Sequence, residues 1–522
     1  MKRPRVIAVS VMILLAMVVL SNPGGVAHAA GPPSGIVEYV AITLTNSQSA
    51  PTPTNFQQQL TVDWSTYSSY LASNVQNVEF FTTQWSPLYA WCESSCSSSA
   101  TSSVVWVNLG SNTIAASGGT LTIVMAFYST LTNNYSPTGY WGAYPTFGTS
   151  PCTSYGSCDN GAYVFSSYFN FAGTAKPSGI NVYTGVGTVA FDNGVTITGG
   201  TSATANENGI ATVATFPSDT VVDYYGTQST SPTNDNWGWN MVGFSSCLGS
   251  TGYNGCGYPS STSSGSSYTL VDFEGSPGGS PVSSQGSPET SQSGTATLGT
   301  LTPPGSNVYP LSVWTQIYLP ASYYTYQDYT TNTGYITGAT NSASLPFEIL
   351  VGNNEATYAS GGMTVYWLRV RAYPPSGGMP SASFATPSSA LATPVAYSNS
   401  GCTTSSTSFD MGQYVYGGFT VAGSGGTPWS FNVIDQAGGN VKTVSPISSS
   451  PYCDSAGYQI PSSNSAGTWT IEVLDTNGVN IGQVTFTVNN IVIPDLPSGV
   501  LFLLLPVVAF YMLARRRVKV GY

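Results

Sequence analysis

Asp272-Phe273-Glu274 is the carboxylate pair in this sequence best spaced for acid–base chemistry. Residues two apart in a strand face one side, and retaining glycosidases hold two carboxyl groups roughly 5–5.5 Å apart. Leu270 and Ser276, the neighbouring positions on that face, supply no third acid. An acidic pair beside a solvated loop is therefore the plainer reading, and no catalytic residue is expected. Asn234-Asp235-Asn236-Trp237-Gly238-Trp239 joins hard oxygen ligands to aromatics. Ca²⁺ takes six to eight oxygens, so Asp235 and Asn236 would need Asp272 or Glu274 brought near. Trp237 and Trp239 share a face if extended and would stack on a sugar ring; the alternative is an Asx-rich turn with two core tryptophans. Tyr323, Tyr324, Tyr326 and Tyr329 crowd one Thr/Asn-rich stretch. They are contact residues for a glycan or protein, or simply strand formers. Trp237, Trp239, Tyr323 and Tyr324 are the glycan-binding candidates, and Asn134-Tyr135-Ser136 is the one glycosylation sequon.

Charge excludes more than it suggests. The 522 residues hold 11 Lys+Arg, 22 Asp+Glu and one His, with 6% charged residues; soluble domains average roughly a quarter. The histidine, His28, lies in a stretch that reads as a cleaved leader. Without it the chain has no Ser-His-Asp or Cys-His nucleophile system and no His-ligated metal site. Lys2, Arg3, Arg5 and Arg515, Arg516, Arg517, Lys519 sit at the ends, and between them stand only Lys176, Arg369, Arg371 and Lys442. Nucleic-acid binding needs clustered cations to neutralise phosphates, and the interior offers no such cluster. No cofactor is expected beyond the weak Ca²⁺ possibility.

The ends predict topology. Residues 1–29 carry a basic start, the apolar run Val6–Leu20 and Ala27-His28-Ala29, the pattern of a secretory signal. Val500–Ala514 is uncharged and mostly apolar, and Arg515-Arg516-Arg517 follows. Fifteen helical residues rise about 22 Å, short of a ~30 Å hydrocarbon core. Counting from Leu496 and letting the arginines snorkel gives a transmembrane helix over 496–514 and a cytoplasmic tail over 515–522. The eight cysteines fall as neighbours, Cys92/Cys96, Cys152/Cys158, Cys247/Cys256 and Cys402/Cys453. In an exported chain these read as four disulfides.

Runs of four to eight strand-forming residues, separated by Gly, Ser, Asn and Pro, predict an all-β chain with three sandwich-type domains in series. The first spans 30–150, the second 162–373 and the third 395–490. Residues 374–394 read as a Pro/Ser/Gly linker, and Gly275–Gly294 as a solvated loop. Leu88-Tyr89-Ala90-Trp91-Cys92-Glu93-Ser94, then Val104–Leu109 and Leu121–Tyr128, resemble a small β domain of unknown function found before lectin-like sandwiches. Tyr168–Thr174 and Val365–Arg371 resemble the first and last strands of a concanavalin/laminin-G-like sandwich, and the third domain resembles an immunoglobulin-like one. The resemblance is to archaeal-type cell-surface proteins. It implies a surface location and glycan contact, and carries no catalytic residues.

Together these readings predict a single-pass surface protein, its ectodomain outside, that binds extracellular glycans or envelope components. The alternatives are a surface glycoside hydrolase using Asp272 and Glu274, and a purely structural envelope component. With so few cations, acid would leave the ectodomain weakly charged rather than strongly cationic, and self-repulsion would stay small. Melting temperatures at pH 2, 4 and 7 should therefore differ little. A collapse at pH 2 would refute this.

Overall fold

A computed structural model of the chain describes residues 31–490 except 145–151, 153, 155, 186, 200–207, 230–237, 246–267, 275–284, 293–294, 299, 302–307, 338–342 and 354–361. The predicted leader and apolar C-terminal run lie outside the described residues. Among those described, no helix is long and apolar enough to cross a membrane. The described residues are predominantly β and form two compact units, one within 35–82 and 86–387, the other of 31–34, 83–85 and 388–490.

The larger unit contains two sandwiches. In the first, a five-stranded sheet centred on Ile36–Asn46 and Gly119–Tyr128 faces a four-stranded sheet ordered Gln57–Val62, Ser103–Asn108, Ala90–Cys92, Trp141–Ala143. Val40, Ile42, Leu44, Met125 and Phe127 meet Leu60, Val105, Val107 and Trp141 in its core. In the second, a seven-stranded and a nine-stranded sheet close over Val242, Phe244, Phe347, Ile349, Val222, Tyr224, Trp314, Leu368 and Val370.

The two sandwiches share a further core, because alternation gives each strand two usable faces. Trp91 and Trp106 point away from the first core, and Val313 and Trp367 away from the second; the four join Val164 and Phe165 in one buried cluster. The domains expected at 30–150 and 162–373 thus fall, but for 83–85 and the residues before 35, within one compact unit.

Two compositional expectations are corrected by pairing. Within the expected linker 374–394, Ser381–Phe384 adds to the edge of Ile36–Asn46, with Ile42 opposite Phe384 and Thr45 opposite Ser381. Leu391–Tyr397 pairs with Tyr414–Ala422 in the other unit. Within the expected loop Gly275–Gly294, Gln285–Gln292 pairs with Tyr268–Glu274. Ladder bonds come from the backbone, so an adjacent strand edge recruits segments whose side chains carry no strand signal.

The smaller unit is a two-sheet sandwich. One sheet runs Ser408–Asp410, Asn480–Asn489, Gly467–Leu474, Trp429–Ile434, Asn440–Ile447; the other is built on Leu391–Tyr397 and Tyr414–Ala422. The Asp475 carboxylate accepts from Asn477 N and Val479 N at 2.8 and 2.9 Å, fixing the hairpin turn. Disulfides join Cys402 to Cys453, Cys92 to Cys96 and Cys152 to Cys158. Cys247 and Cys256 lie outside the described residues.

Because Ser381–Phe384 completes an edge, a chain ending at Tyr373 should melt several degrees below one ending at Pro387. Equal melting temperatures would make the segment a linker after all.

Candidate functional site

The chemistry-bearing residues that the fold brings together lie on the outer face of the nine-stranded sheet, and a β-bulge puts them there. Strand Gly362–Ala372 pairs with Thr220–Ser229, with the register shifting between Tyr225 and Gly226, opposite Trp367 and Val365. Before the shift Met363 and Val365 face the inter-sheet core; after it Leu368 and Val370 do. One extra residue reverses the facing of everything beyond it. Trp367, Arg369 and Arg371 therefore point outward, under the four-stranded sheet.

Asp223 stands directly opposite Arg369 in that register. Its carboxylate accepts from Arg369 Nε and Arg371 Nε, both at 2.8 Å, and from the Thr315 hydroxyl at 2.7 Å. Arg369 Nη1 also meets Glu93 of the first sandwich at 2.6 Å, with the arginine side chain fully buried. Glu93 accepts from Trp106 Nε1 at 2.7 Å and from the Tyr329 hydroxyl at 2.7 Å. The Arg369 guanidinium lies 4.5–4.7 Å from the ring centres of Trp106, Trp367 and Phe165. Burial pushes the Asp223 carboxyl up, but Arg371 and Arg369 outweigh it and hold it below the ordinary carboxylate range. Asp159 is also buried, accepting from Trp91 Nε1, Tyr168, Asn170 and the Gly161 amide at 2.6–3.0 Å. There burial outweighs the donors and raises the carboxyl.

Beside this cluster runs a groove of about 480 Å³, lined by Tyr324, Tyr326 and Tyr373, with Gln59, Arg371 and Met379 among its other walls. Volumes of roughly 300–1,000 Å³ are usual for small-ligand sites. Tyr324 and Tyr326 alternate with buried Tyr323 and Thr325 along Ser322–Gln327, so they share the outer face. Tyr324 stacks on Tyr326 and on Tyr335 of the next strand, with ring centres 6.2 Å apart in each pair. Burial raises the Tyr326 and Tyr373 hydroxyls, and Tyr324 beside them adds to it, so these phenols stay protonated.

Of the sequence candidates, Tyr324 lines this groove. Tyr323 does not: it is 1% exposed and donates from its hydroxyl into the inter-sheet core, to Gln316 Oε1. Strand alternation turns it inward, which removes it from glycan contact. Asp235, Asn236 and Trp237 lie outside the described residues. Glu274 pairs with Trp239 and Asp272 with Met241 in the strand ladder, but the side chains of Asp272, Glu274 and Trp239 are outside the description. Among the described residues no group of three or more His, Cys, Asp or Glu is placed to hold a metal. The Asn134 side-chain nitrogen is buried, with no hydrogen-bond partner among the described residues. Sequence reading missed Glu93, Asp223, Arg369 and Arg371 as a cluster. The signal was present, since two of the chain's four interior cations sit in one strand-forming run.

No family model matches the chain. It is 35% identical over 133 residues to Uncharacterized protein 562 of Sulfolobus islandicus rod-shaped virus 1, a match covering 25% of this chain and 21% of that protein. The chain thus spans about a fifth of that relative's length. Solved structures similar to it include a Bacillus licheniformis β-glucanase, at 11% identity and TM-score 0.28, covering 39% of this chain and 96% of that one. The Emp47p carbohydrate recognition domain matches at 10% identity and TM-score 0.27, covering 39% and 93%. Scores this low do not establish a shared fold.

Removing one partner of a buried ion pair costs about 3–5 kcal/mol. Asp223→Asn should lose that much stability in denaturant titrations at pH 7. The carboxyl is depressed in the folded chain, so its contribution is complete above the ordinary value of 3.8 and fades as pH falls through the lower folded value. The gap between wild type and Asp223→Asn should therefore close in strong acid. A constant gap would contradict the assignment.

Proposed function

We propose that the chain is an exported, membrane-anchored surface protein that binds glycans and catalyses nothing. The observation that carries the reading is the row of stacked tyrosines Tyr335, Tyr324 and Tyr326, of which Tyr324 and Tyr326 line the groove. Aromatic rings offer apolar area at low entropy cost, and their hydroxyls supply neutral hydrogen bonds. A sugar ring needs that combination, having an apolar C–H face and a hydroxyl rim. The leader-like start and the apolar run 496–514 before the arginines support export and anchoring. The groove lies among residues of the larger compact unit.

A second reading has one observation in its favour. The strand register sets Glu274 opposite Trp239, beside Asp272 two residues away, which is the kind of spacing glycoside hydrolysis uses. Glu274→Gln separates the two readings, because only a hydrolase would lose turnover of a polysaccharide while remaining folded.

Glycan-array binding with the purified chain tests the proposal. Tyr326→Ala should weaken binding about tenfold or more, since a stacked aromatic contributes on the order of 1 kcal/mol beyond its buried area. Absence of binding to any glycan at high protein concentration would sink it.

A further inference from the structure

Resting on the glycan-binding reading, we infer that the tyrosine groove selects uncharged glycans over uronic-acid or sulfated ones. Among the described residues no carboxylate lines the groove, and the one charged side chain that does is Arg371. That guanidinium is already committed: Nε donates to Asp223 Oδ2 at 2.8 Å and Nη2 to Asp223 Oδ1 at 3.3 Å, with the side chain 6% exposed. A two-point pair of this kind uses the geometry by which arginine captures a carboxylate or sulfate ligand. The Nε/Nη2 edge of Arg371 is therefore occupied from within the protein, and Asp223 and Glu93 together balance the charges of Arg369 and Arg371.

The wider field points the same way. The chain carries 22 carboxylates, and its four interior cations include Arg369, fully buried, and Arg371. An anionic polymer approaching this surface meets net repulsion. A cationic ligand meets no carboxylate among the described residues of the groove lining. What remains is a wall of uncharged groups. The Tyr324 hydroxyl is close enough to raise those of Tyr326 and Tyr373, Gln59 adds an amide, and Ile317 and Leu319 add apolar surface.

Gly377 keeps this wall in place. Its φ is +82°, and a Cβ there would stand 2.6 Å from the Tyr373 hydroxyl. A side chain at 377 would displace that hydroxyl as well as strain the turn.

Calorimetric titration of the full chain decides the matter, using neutral gluco-, manno- and galacto-oligosaccharides and their uronate or sulfated counterparts at low and high salt. Neutral ligands should bind with affinities that change less than about twofold with salt, because no ion pair is made or screened. Acidic counterparts should bind at least about tenfold more weakly at low salt, where repulsion is least screened. Tyr326→Ala should weaken the neutral binding about tenfold or more without lowering the melting temperature, whereas Gln59→Arg should admit the acidic ligands. Tighter binding of acidic ligands, weakened by salt, would overturn the inference while leaving glycan binding intact. Neutral binding unaffected by Tyr326→Ala would remove it from this groove. No binding of either class would overturn the proposed function as well.

Discussion

The burial of the Arg369 guanidinium is the constraint on which the larger unit depends. A charge with no exposure is tolerable only when every side of it is answered. Asp223 answers from its own sheet and Glu93 from the first sandwich, while tryptophan and phenylalanine rings close over it. Cation–π contact strengthens with desolvation, so the aromatic cage and the ion pairs reinforce one another. Separating the two sandwiches would strip Glu93 from Arg369 and expose Trp91, Trp106 and Trp367 together. The first β domain is therefore a cover for the sandwich rather than an appendage to it.

Economy of charge makes this arrangement conspicuous. Of the four interior cations, Arg369 and Arg371 serve Asp223, and Lys442 pairs with Asp454 in the smaller unit. Lys176 caps a carbonyl, Ile180 O. Few as the cations are, three carboxylates are paired with them: Glu93, Asp223 and Asp454. Others act in the opposite sense. Burial raises Glu79 and Asp159, so acidification favours the folded chain as it passes just above the ordinary carboxylate range, and Asp223, held low, opposes it at lower pH.

The groove follows from the same geometry. Arg371 reaches its floor because the bulge in the last long strand turned it outward, and Asp223 takes up its charge. Tyr324 and Tyr326 reach the wall because Tyr323 and Thr325 alternate into the core. Ion-pair cluster and tyrosine wall are two consequences of one sheet face being covered only in part.

By itself the sequence determined the all-β character, the sparse charge, three of the cysteine pairings and most strand positions, including Trp429–Ile434 and Gly467–Leu474. These are local properties: strand propensity, turn residues and short cysteine loops act over a few residues. It also showed a crowd of tyrosines but not which faced outward, and it named Tyr323 and Tyr324 alike. Only the tertiary structure decided that Tyr323 is core and Tyr324 is surface, that Ser381–Phe384 is a strand, and that Arg369 lies between two sandwiches. Facing along a strand depends on register, and one bulge reverses it. Register is set by partners more than a hundred residues away, such as Asp223 for Arg369, and no local pattern encodes a partner at that distance.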